Sequence, residues 1–429
     1  MKVAFYTLGC KVNTYETESV WELFEEKGYK RVDHKSYSDV YVINTCTVTN
    51  SGDSKSRKAI RKLIKQNPEA VVAVMGCYSQ MSSDEILAID GVDIVIGTKH
   101  REQLIVLVEE FLRERAKINA VTDVSRYKVF DEVHVTHFTE NTRAFLKIQD
   151  GCNNFCSYCI IPFARGPVRS RNKESVLREA TELVKNGYHE IVLTGIHTGG
   201  YGSDLEDYSL FKLLTNLSNI NGLDRIRISS IEINELSDEI LDLISSNSIF
   251  AKHLHIPLQS GSDDVLKMMK RKYNKEEYLT KITEIRSKIP GVAITTDVIV
   301  GFPSETDEMY SEMVQFIEDC NFSELHVFPY SKRSGTKAAQ MKDQINGIIK
   351  SVRVNGLLEL NEKLATNFIN ESKENNLSVL FEKSDDLYTY GHSDTYIYVK
   401  VNKDLELHNK IAKVSIENVK YKDTFAKLV

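Results

Sequence analysis

The stretch "GCNNFCSYCIIPFARG", residues 151–166, places Cys152, Cys156 and Cys159 within one short loop. Three thiolates at that spacing can wrap one small inorganic body. An iron–sulfur cube normally takes four cysteines, so three leave one iron with an open position, much as a catalytic zinc keeps one. An open iron can chelate a small molecule through nitrogen and oxygen. A zinc knuckle, or buried structural cysteines, is the other reading. Zinc needs a fourth ligand, and no His or further Cys lies in the loop. Cys10, Cys46 and Cys77 are scattered along the chain, yet "YTLGC", "VINTC" and "VMGC" each end an apolar run. If those runs are neighbouring parallel strands, ~5 Å apart, their thiolates converge at the edge where open α/β sheets bind ligands. Gly9 and Gly76 would clear bulk beside them. The alternative is three small buried apolar residues. The seventh cysteine, Cys320, lacks such a context and reads as a packed thiol.

These cysteines need elements to hold them. Residues 1–115 alternate apolar strands (2–8, 39–45, 70–76, 93–97) with helical patterns, which predicts an open parallel sheet covered on both faces. Residues 116–140 lack periodicity and read as a linker. Over 141–370, strands at 143–149, 190–195, 225–230, 253–258, 293–302 and 324–330 alternate with helices, which predicts a parallel barrel, complete or partial, of (βα)6 type. Beyond 370 the pattern turns to short strands, a small β-barrel over 371–429. The overall class is α/β.

A prior of about one domain per ~150 residues allows two to four domains in 429 residues. No apolar run reaches the ~18 residues of a membrane span, and residues 2–8 are too short for a secretory signal. The chain reads as soluble and cytoplasmic. An odd cysteine count in such a chain argues for metal or redox work over disulfides. The net charge of -6 argues against bulk nucleic-acid binding but leaves room for a local patch. "SKSRKAIRKLIK", residues 54–65, is such a patch, with Lys55, Arg57, Lys58 and Arg61 and no acid; a solvated helix face is the plainer reading.

The residues resemble a known family. "GCNNFCSYC" is similar to the Cys-x3-Cys-x2-Cys signature of radical S-adenosylmethionine (SAM) enzymes. With an N-terminal three-cysteine domain and a C-terminal β-barrel, the whole chain resembles a methylthiotransferase with a TRAM domain. "TLGCKVNTYETE", "VINTCTVTNSGDSKSR", "IIPFARGPVRSR", "HIPLQSGSDDVLKMMKR", "TDVIVGFPSET" and "FPYSKRSGTKA" resemble family blocks. "TLGCKVN" is similar to the branch that modifies threonylcarbamoyladenosine in tRNA. The isopentenyladenosine branch typically has Gln-Met, and the ribosomal-protein branch Pro-Lys, where this chain has Lys11 and Val12.

The resemblance implies two [4Fe-4S] clusters. Cys152, Cys156 and Cys159 would hold one whose open iron binds SAM, for cleavage to a 5′-deoxyadenosyl radical that attacks adenine C2. Cys10, Cys46 and Cys77 would hold an auxiliary cluster carrying the sulfur. SAM contacts are expected near strand ends: Thr194 and Gly195, Ser230 and Glu232, His255 and Gln259, and Gly301. Each also fits a packing or turn role, and His255 also reads as a hydrogen-bonded core residue. Phe155 and Tyr158 fit either cluster shielding or packing. Arg165, Arg169 and Arg171 are expected on RNA phosphates, with solvated surface arginines as the alternative. The basic helix joins them as an RNA contact. Tyr388, Tyr390, Tyr396 and Tyr398 fit either base stacking or the barrel core. Expected partners are a tRNA anticodon stem-loop and an electron donor such as flavodoxin or ferredoxin, with no membrane and a monomeric chain. Rival readings are methylthiotransferases of the other two branches and a non-catalytic iron–sulfur RNA-binding protein.

Overall fold

A computed structural model describes residues 1–139 and 142–429. The expected linker–barrel boundary at 140/141 lies outside the described residues. No helix among them is long and apolar enough to cross a membrane.

The N-terminal sheet comprises β1 (Lys2–Thr7), β2 (Lys30–Val32), β3 (Val40–Thr45), β4 (Val71–Gly76), β5 (Ile94–Val95) and β6 (Ile118–Asn119). All are parallel, in the order β2-β1-β3-β4-β5-β6. Every residue of β3 and β4 is buried. Val40 and Val42 face one apolar cluster with Trp21 and Phe24, while Tyr41 and Ile43 face another with Ile60 and Leu63. Both faces are covered, by α1 (Lys11–Glu26) and the helix Leu104–Glu114 on one side and α2 (Asn50–Gln66) on the other. This is why the strands read as unbroken Val/Ile runs.

The central unit holds β7 (Ala144–Lys147), a short antiparallel pair β8 (Gln149–Asp150) and β9 (Arg169–Ser170), then β10 (Glu190–Thr194), β11 (Arg225–Ile228), β12 (His253–His255), β13 (Ala293–Val300) and β14 (Glu324–Pro329). Two parallel sheets, β7-β10-β11 and β12-β13-β14, meet at an Ile226–Phe250 bridge, giving a six-stranded partial barrel. Among the described residues β7 and β14 do not pair, so the barrel has an open side. There α1 packs on β7, and the long helix Gly347–Glu371 packs on β14.

The C-terminal unit is a closed five-stranded barrel of β15 (Leu377–Ser384), β16 (Tyr388–Ser393), β17 (Tyr398–Asn402), β18 (Ile411–Asn418) and β19 (Thr424–Leu428). It sits against the N-terminal ends of the central strands: Arg225 Nη2 donates to the Ser378 carbonyl at 2.9 Å and Arg227 Nη2 to the Ser393 carbonyl at 3.0 Å.

The stretch read as a linker differs from expectation. β6 lies inside it and completes the N-terminal sheet, and Val133, Val135 and Phe138 join the central core. It is a strap pinned between two units. Its apolar residues face different neighbours in turn, so no single period emerges.

Candidate functional site

β1, β3 and β4 are consecutive in the sheet and end level with one another. The Leu8 amide donates to the Asn44 carbonyl at 2.9 Å, and Thr45 is in register with Gly76. Cys46 and Cys77 directly follow β3 and β4, and Cys10 follows β1 after Leu8 and Gly9, so three strand ends present three thiols side by side. The two glycines are required here. Gly9 has φ +111°, and a Cβ on it would lie 3.0 Å from Cys46 Cβ. Gly76 has φ +104°, and its Cβ would lie 2.6 Å from the Thr45 carbonyl oxygen. Cys10 Sγ donates to Asn13 Oδ1 at 3.6 Å, and Arg165 links the same Asn13 Oδ1, at 3.0 Å, to Cys77 Sγ, at 3.1 Å.

Arg165 ends the short helix Ile161–Arg165 that follows Cys159, so one side chain ties the second cysteine loop to the first set. In that loop the Gln149 amide donates to the Asp150 and Gly151 carbonyls at 2.7 and 2.6 Å, and the Cys152 amide to the Gly166 carbonyl at 3.1 Å. Arg271 Nη1 donates to Cys156 Sγ at 3.4 Å and its Nη2 grips Glu232. His197 reaches Cys152 and Glu235. Burial opposes its protonation, but those two neighbours win and push its pKa up to about 10. Burial pushes the Cys77 and Cys159 thiols up to about 12, so they hold their protons until a cation replaces them.

The donor sets fit clusters better than single ions. Tetrahedral zinc with 2.3 Å bonds draws its sulfurs to about 3.8 Å apart. Among the described residues, the His, Cys, Asp and Glu group whose ligand atoms all lie within 4.8 Å of one another is His255, Asp297 and His326; neither cysteine set is this tight. The surroundings of Cys77 agree. Glu16 is held by Arg165 at 2.5 Å, Lys147 at 2.7 Å and Arg101 at 3.1 Å, and Asp150 by Lys147 at 2.7 Å and Arg169 at 3.6 Å. Arg101 also reaches Asp131 at 3.8 Å, which holds Lys99 at 3.0 Å, so five cations face three carboxylates. Thiolate ligands beside them would offset the excess.

This network corrects the expected phosphate contacts. Arg165, Arg169 and Arg171 are 0%, 1% and 0% exposed, and no phosphate reaches them. Arg171 Nη2 donates to Glu179 at 2.7 Å, and Arg169 Nη1 to the Pro167 carbonyl at 2.8 Å. All three fasten the N-terminal unit, the strap and the barrel together. In α2, by contrast, Lys55, Lys58 and Arg61 are exposed. Arg57 is half-buried, spent on Tyr78 at 2.6 Å and Glu85 at 3.2 Å. The helix starts beside Cys46 and is anchored there by Arg333, which pairs with Asp53 at 2.7 Å and donates to Thr47 and Asn50 at 2.6 Å each.

The expected SAM contacts divide. Gly195 adjoins Gln149 under the cysteine loop, and Glu232 joins Cys156 and Arg271 around a cavity of about 140 Å³. Ser230 is exposed nearby. Thr194 is buried, its hydroxyl on the Val192 carbonyl at 3.1 Å. Gly301 is buried at φ +70° against Lys350 of the helix Gly347–Glu371. Gln259, at φ +67°, pairs through its backbone with β13. The contacts that these last three make within the chain are packing and pairing ones. His255 points into the barrel lumen, where Asp297 Oδ1 lies 3.3 Å from both His255 and His326. Of the aromatics, Phe155 stays 55% exposed against Phe163, and Tyr390 and Tyr398 stack at 5.7 Å on the C-terminal barrel. Tyr396 is drawn inward, stacked on His253 at 4.7 Å.

Sequence reasoning passed over His197, Gln149, Arg271 and Glu16. The signal for Arg271 was present in the "KMMKR" segment after the fourth barrel strand, and for His197 in "TGIHTGG".

The chain is similar to known proteins along nearly all of its length. Residues 146–317 match the Radical SAM superfamily, and residues 2–97 match Uncharacterized protein family UPF0004. A Bacillus subtilis protein named Threonylcarbamoyladenosine tRNA methylthiotransferase MtaB is 49% identical over 425 residues, 98% of this chain and 94% of its own. A tRNA-2-methylthio-N(6)-dimethylallyladenosine synthase from Carboxydothermus hydrogenoformans is 34% identical, over 96% of this chain and 95% of its own. The solved structure of a radical SAM methyltransferase, TsrM, from Kitasatospora setae shares the fold at a TM-score of 0.59, covering 76% of this chain and 74% of that one at 14% identity.

Proposed function

The chain belongs to the radical SAM methylthiotransferases, and from that premise we propose that it inserts a methylthio group at C2 of N6-threonylcarbamoyladenosine 37, next to the anticodon of tRNA. The observation that carries this reading is the pair of three-cysteine sets joined through Arg165. Cys152, Cys156 and Cys159 hold the [4Fe-4S] cluster that binds SAM, and Cys10, Cys46 and Cys77 hold a second. When bound, SAM would supply the radical and the methyl group, and the second cluster the sulfur.

The chain's own residues do the positioning. Arg271 and His197 direct hydrogen bonds at Cys156 and Cys152, which orients the ligands and holds charge near them. Gln149 fixes the loop backbone, and Gly195 leaves space beside it. The exposed face of α2 meets the phosphates of the anticodon stem-loop, and Phe155 and Phe163 offer stacking faces beside the opening. An electron carrier such as flavodoxin or ferredoxin feeds the SAM cluster, and the chain works as a cytoplasmic monomer.

Mass spectrometry of tRNA nucleosides from a deletion strain tests the substrate. The 2-methylthio-threonylcarbamoyl nucleoside should vanish and its unthiolated precursor accumulate; an unchanged nucleoside profile rejects the reading. Anaerobic reconstitution with SAM and dithionite should yield 5′-deoxyadenosine, which a non-catalytic binder would not produce.

A further inference from the structure

His255, Asp297 and His326 stand on three neighbouring parallel strands, β12, β13 and β14. Asp297 is in register with His326, and His255 with Thr295, two residues before Asp297 on the same face of β13. One oxygen, Asp297 Oδ1, lies 3.3 Å from His255 Nε2 and 3.3 Å from His326 Nδ1. One ligand atom from each residue lies within 4.8 Å of the other two, and the imidazole rings stack at 5.2 Å. Hydrogen bonding alone explains this poorly. A charge-assisted N–H···O bond settles at ~2.7–2.9 Å, yet both imidazoles stop short of the same oxygen. A tetrahedral divalent ion with bonds of ~2.0–2.1 Å to nitrogen and carboxylate oxygen holds its donors about 3.3 Å apart.

The surroundings suit such an ion. Thr295 Oγ1 lies 2.9 Å from His255 Nδ1 and 3.0 Å from His253 Nε2. Its hydroxyl can accept from the Nδ1–H of His255 and donate to His253, which leaves His255 Nε2 a bare lone pair. Metal-bound histidines are held in this way, by a hydrogen bond on the far ring nitrogen. Three strands of one sheet fix the ligands, so little order has to be gained on binding. Thr295 and the exposed His326 also line a cavity of about 600 Å³ between the central and C-terminal barrels. It gives an entry path and room for water at a fourth position. We propose that His255, Asp297 and His326 form a mononuclear site for a divalent transition ion of the zinc type, built without any of the six strand-end and loop cysteines. Two imidazoles and one carboxylate suit such an ion, whereas magnesium and calcium want oxygen ligands. The open fourth position takes water or an oxygen of a bound ligand. The site does not depend on which nucleoside the chain modifies.

The test uses the full chain with both clusters reconstituted anaerobically, so that iron and sulfide occupy the cysteines. Zinc is added at one equivalent and the metal content is read after desalting. The wild-type chain should retain one zinc. X-ray absorption at the zinc edge should show nitrogen and oxygen at ~2.0–2.1 Å with imidazole scattering, and no sulfur at ~2.3 Å. Losing an outer hydrogen bond costs roughly 10- to 100-fold in metal affinity, so Thr295→Val should raise the Kd for zinc by that factor in competition with a fluorescent chelator. Asp297→Asn and His326→Gln remove direct ligands and should raise it by at least about 100-fold, with iron and sulfide contents unchanged. A sulfur shell around the zinc, no retained zinc, or a Kd that none of the three variants moves would overturn the site. Should a variant lose its clusters, the wild-type absorption spectrum decides alone.

Discussion

Arg165 shows how much one side chain carries here. Its guanidinium contacts Cys77, Asn13, Glu16 and Asp150 with no exposure. Burial alone would raise the pKa of Glu16. Arg101, Arg165 and Lys147 outweigh it and bring the carboxyl down to about 2. Breaking a buried charged network by deleting a partner costs about 3–5 kcal/mol. Arg165→Leu should therefore lower the melting temperature sharply and lose the iron of the N-terminal set, with salt dependence of RNA binding unchanged. A stable variant with a reduced salt slope would return Arg165 to the phosphate role. Arg271 gives the second test at this scale. Its hydrogen bond to Cys156 puts positive charge beside a cluster ligand, and such bonds raise a cluster's reduction potential. Arg271→Met should shift the SAM cluster to a more negative potential in a redox titration followed by electron paramagnetic resonance, and slow 5′-deoxyadenosine formation. A potential that does not move would assign Arg271 to folding alone.

On α2, three exposed cations have no partner among the described residues. Lys55, Lys58 and Arg61 stand on its outer face, and its start is fixed beside Cys46 by Arg333. Replacing the three with glutamine should leave the melting temperature within a degree or two of wild type and weaken stem-loop binding. Each lost phosphate contact reduces the slope of log Kd against log salt by about 0.7–0.9, so the triple variant should lose about 2–3 units. An unchanged slope would place the RNA elsewhere. The basic patch was legible because a run of Lys and Arg without acids, residues 54–65, stands out in any sequence. The strand-end cysteines were legible for a related reason: unbroken runs such as "VYVINTC" fix a buried parallel strand and the residue that leaves it. Arg165, Arg169 and Arg171 were misplaced because residue type does not reveal which side of an interface a charge faces. The Arg165 acceptor Glu16 is 149 residues away on α1, and Glu179, eight residues past Arg171, faces it only because the helix Lys173–Lys185 turns it inward. β2 and β6, at three and two residues, are too short to show any period. The strap between them and the barrel borrows its burial from two units at once.

At the scale of the whole molecule, the C-terminal barrel is bolted to the central one through Glu190. Its carboxylate holds Arg227 at 2.7 Å and Arg225 at 2.9 Å, and those arginines donate in turn to backbone carbonyls at Ser378, Ser393 and Asp394. Burial opposes ionisation of Glu190, but Arg227 and Arg225 win and take its pKa from an ordinary 4.5 to about 2. A carboxyl depressed on folding adds stability that is fully present above its unfolded value and is lost as pH falls through the folded one. Glu190→Gln should thus cost about 3–5 kcal/mol at pH 7, because two buried arginines lose their counter-charge. The gap from wild type should narrow as pH falls from 4.5 toward 2, where wild-type Glu190 takes up the same proton. Trp21, the single tryptophan of the chain, sits in the N-terminal core and reports on that unit, while amide hydrogen exchange over β15–β19 reports on the C-terminal barrel. In urea at pH 7 protection of β15–β19 in Glu190→Gln should be lost before Trp21 fluorescence shifts, while in wild type the two should move together. A variant whose deficit is as wide at pH 3 as at pH 7 would show that the carboxylate charge is not what joins the barrels, and that Tyr396, stacked on His253 and covered by Arg227 at 4.9 Å, holds them by packing instead.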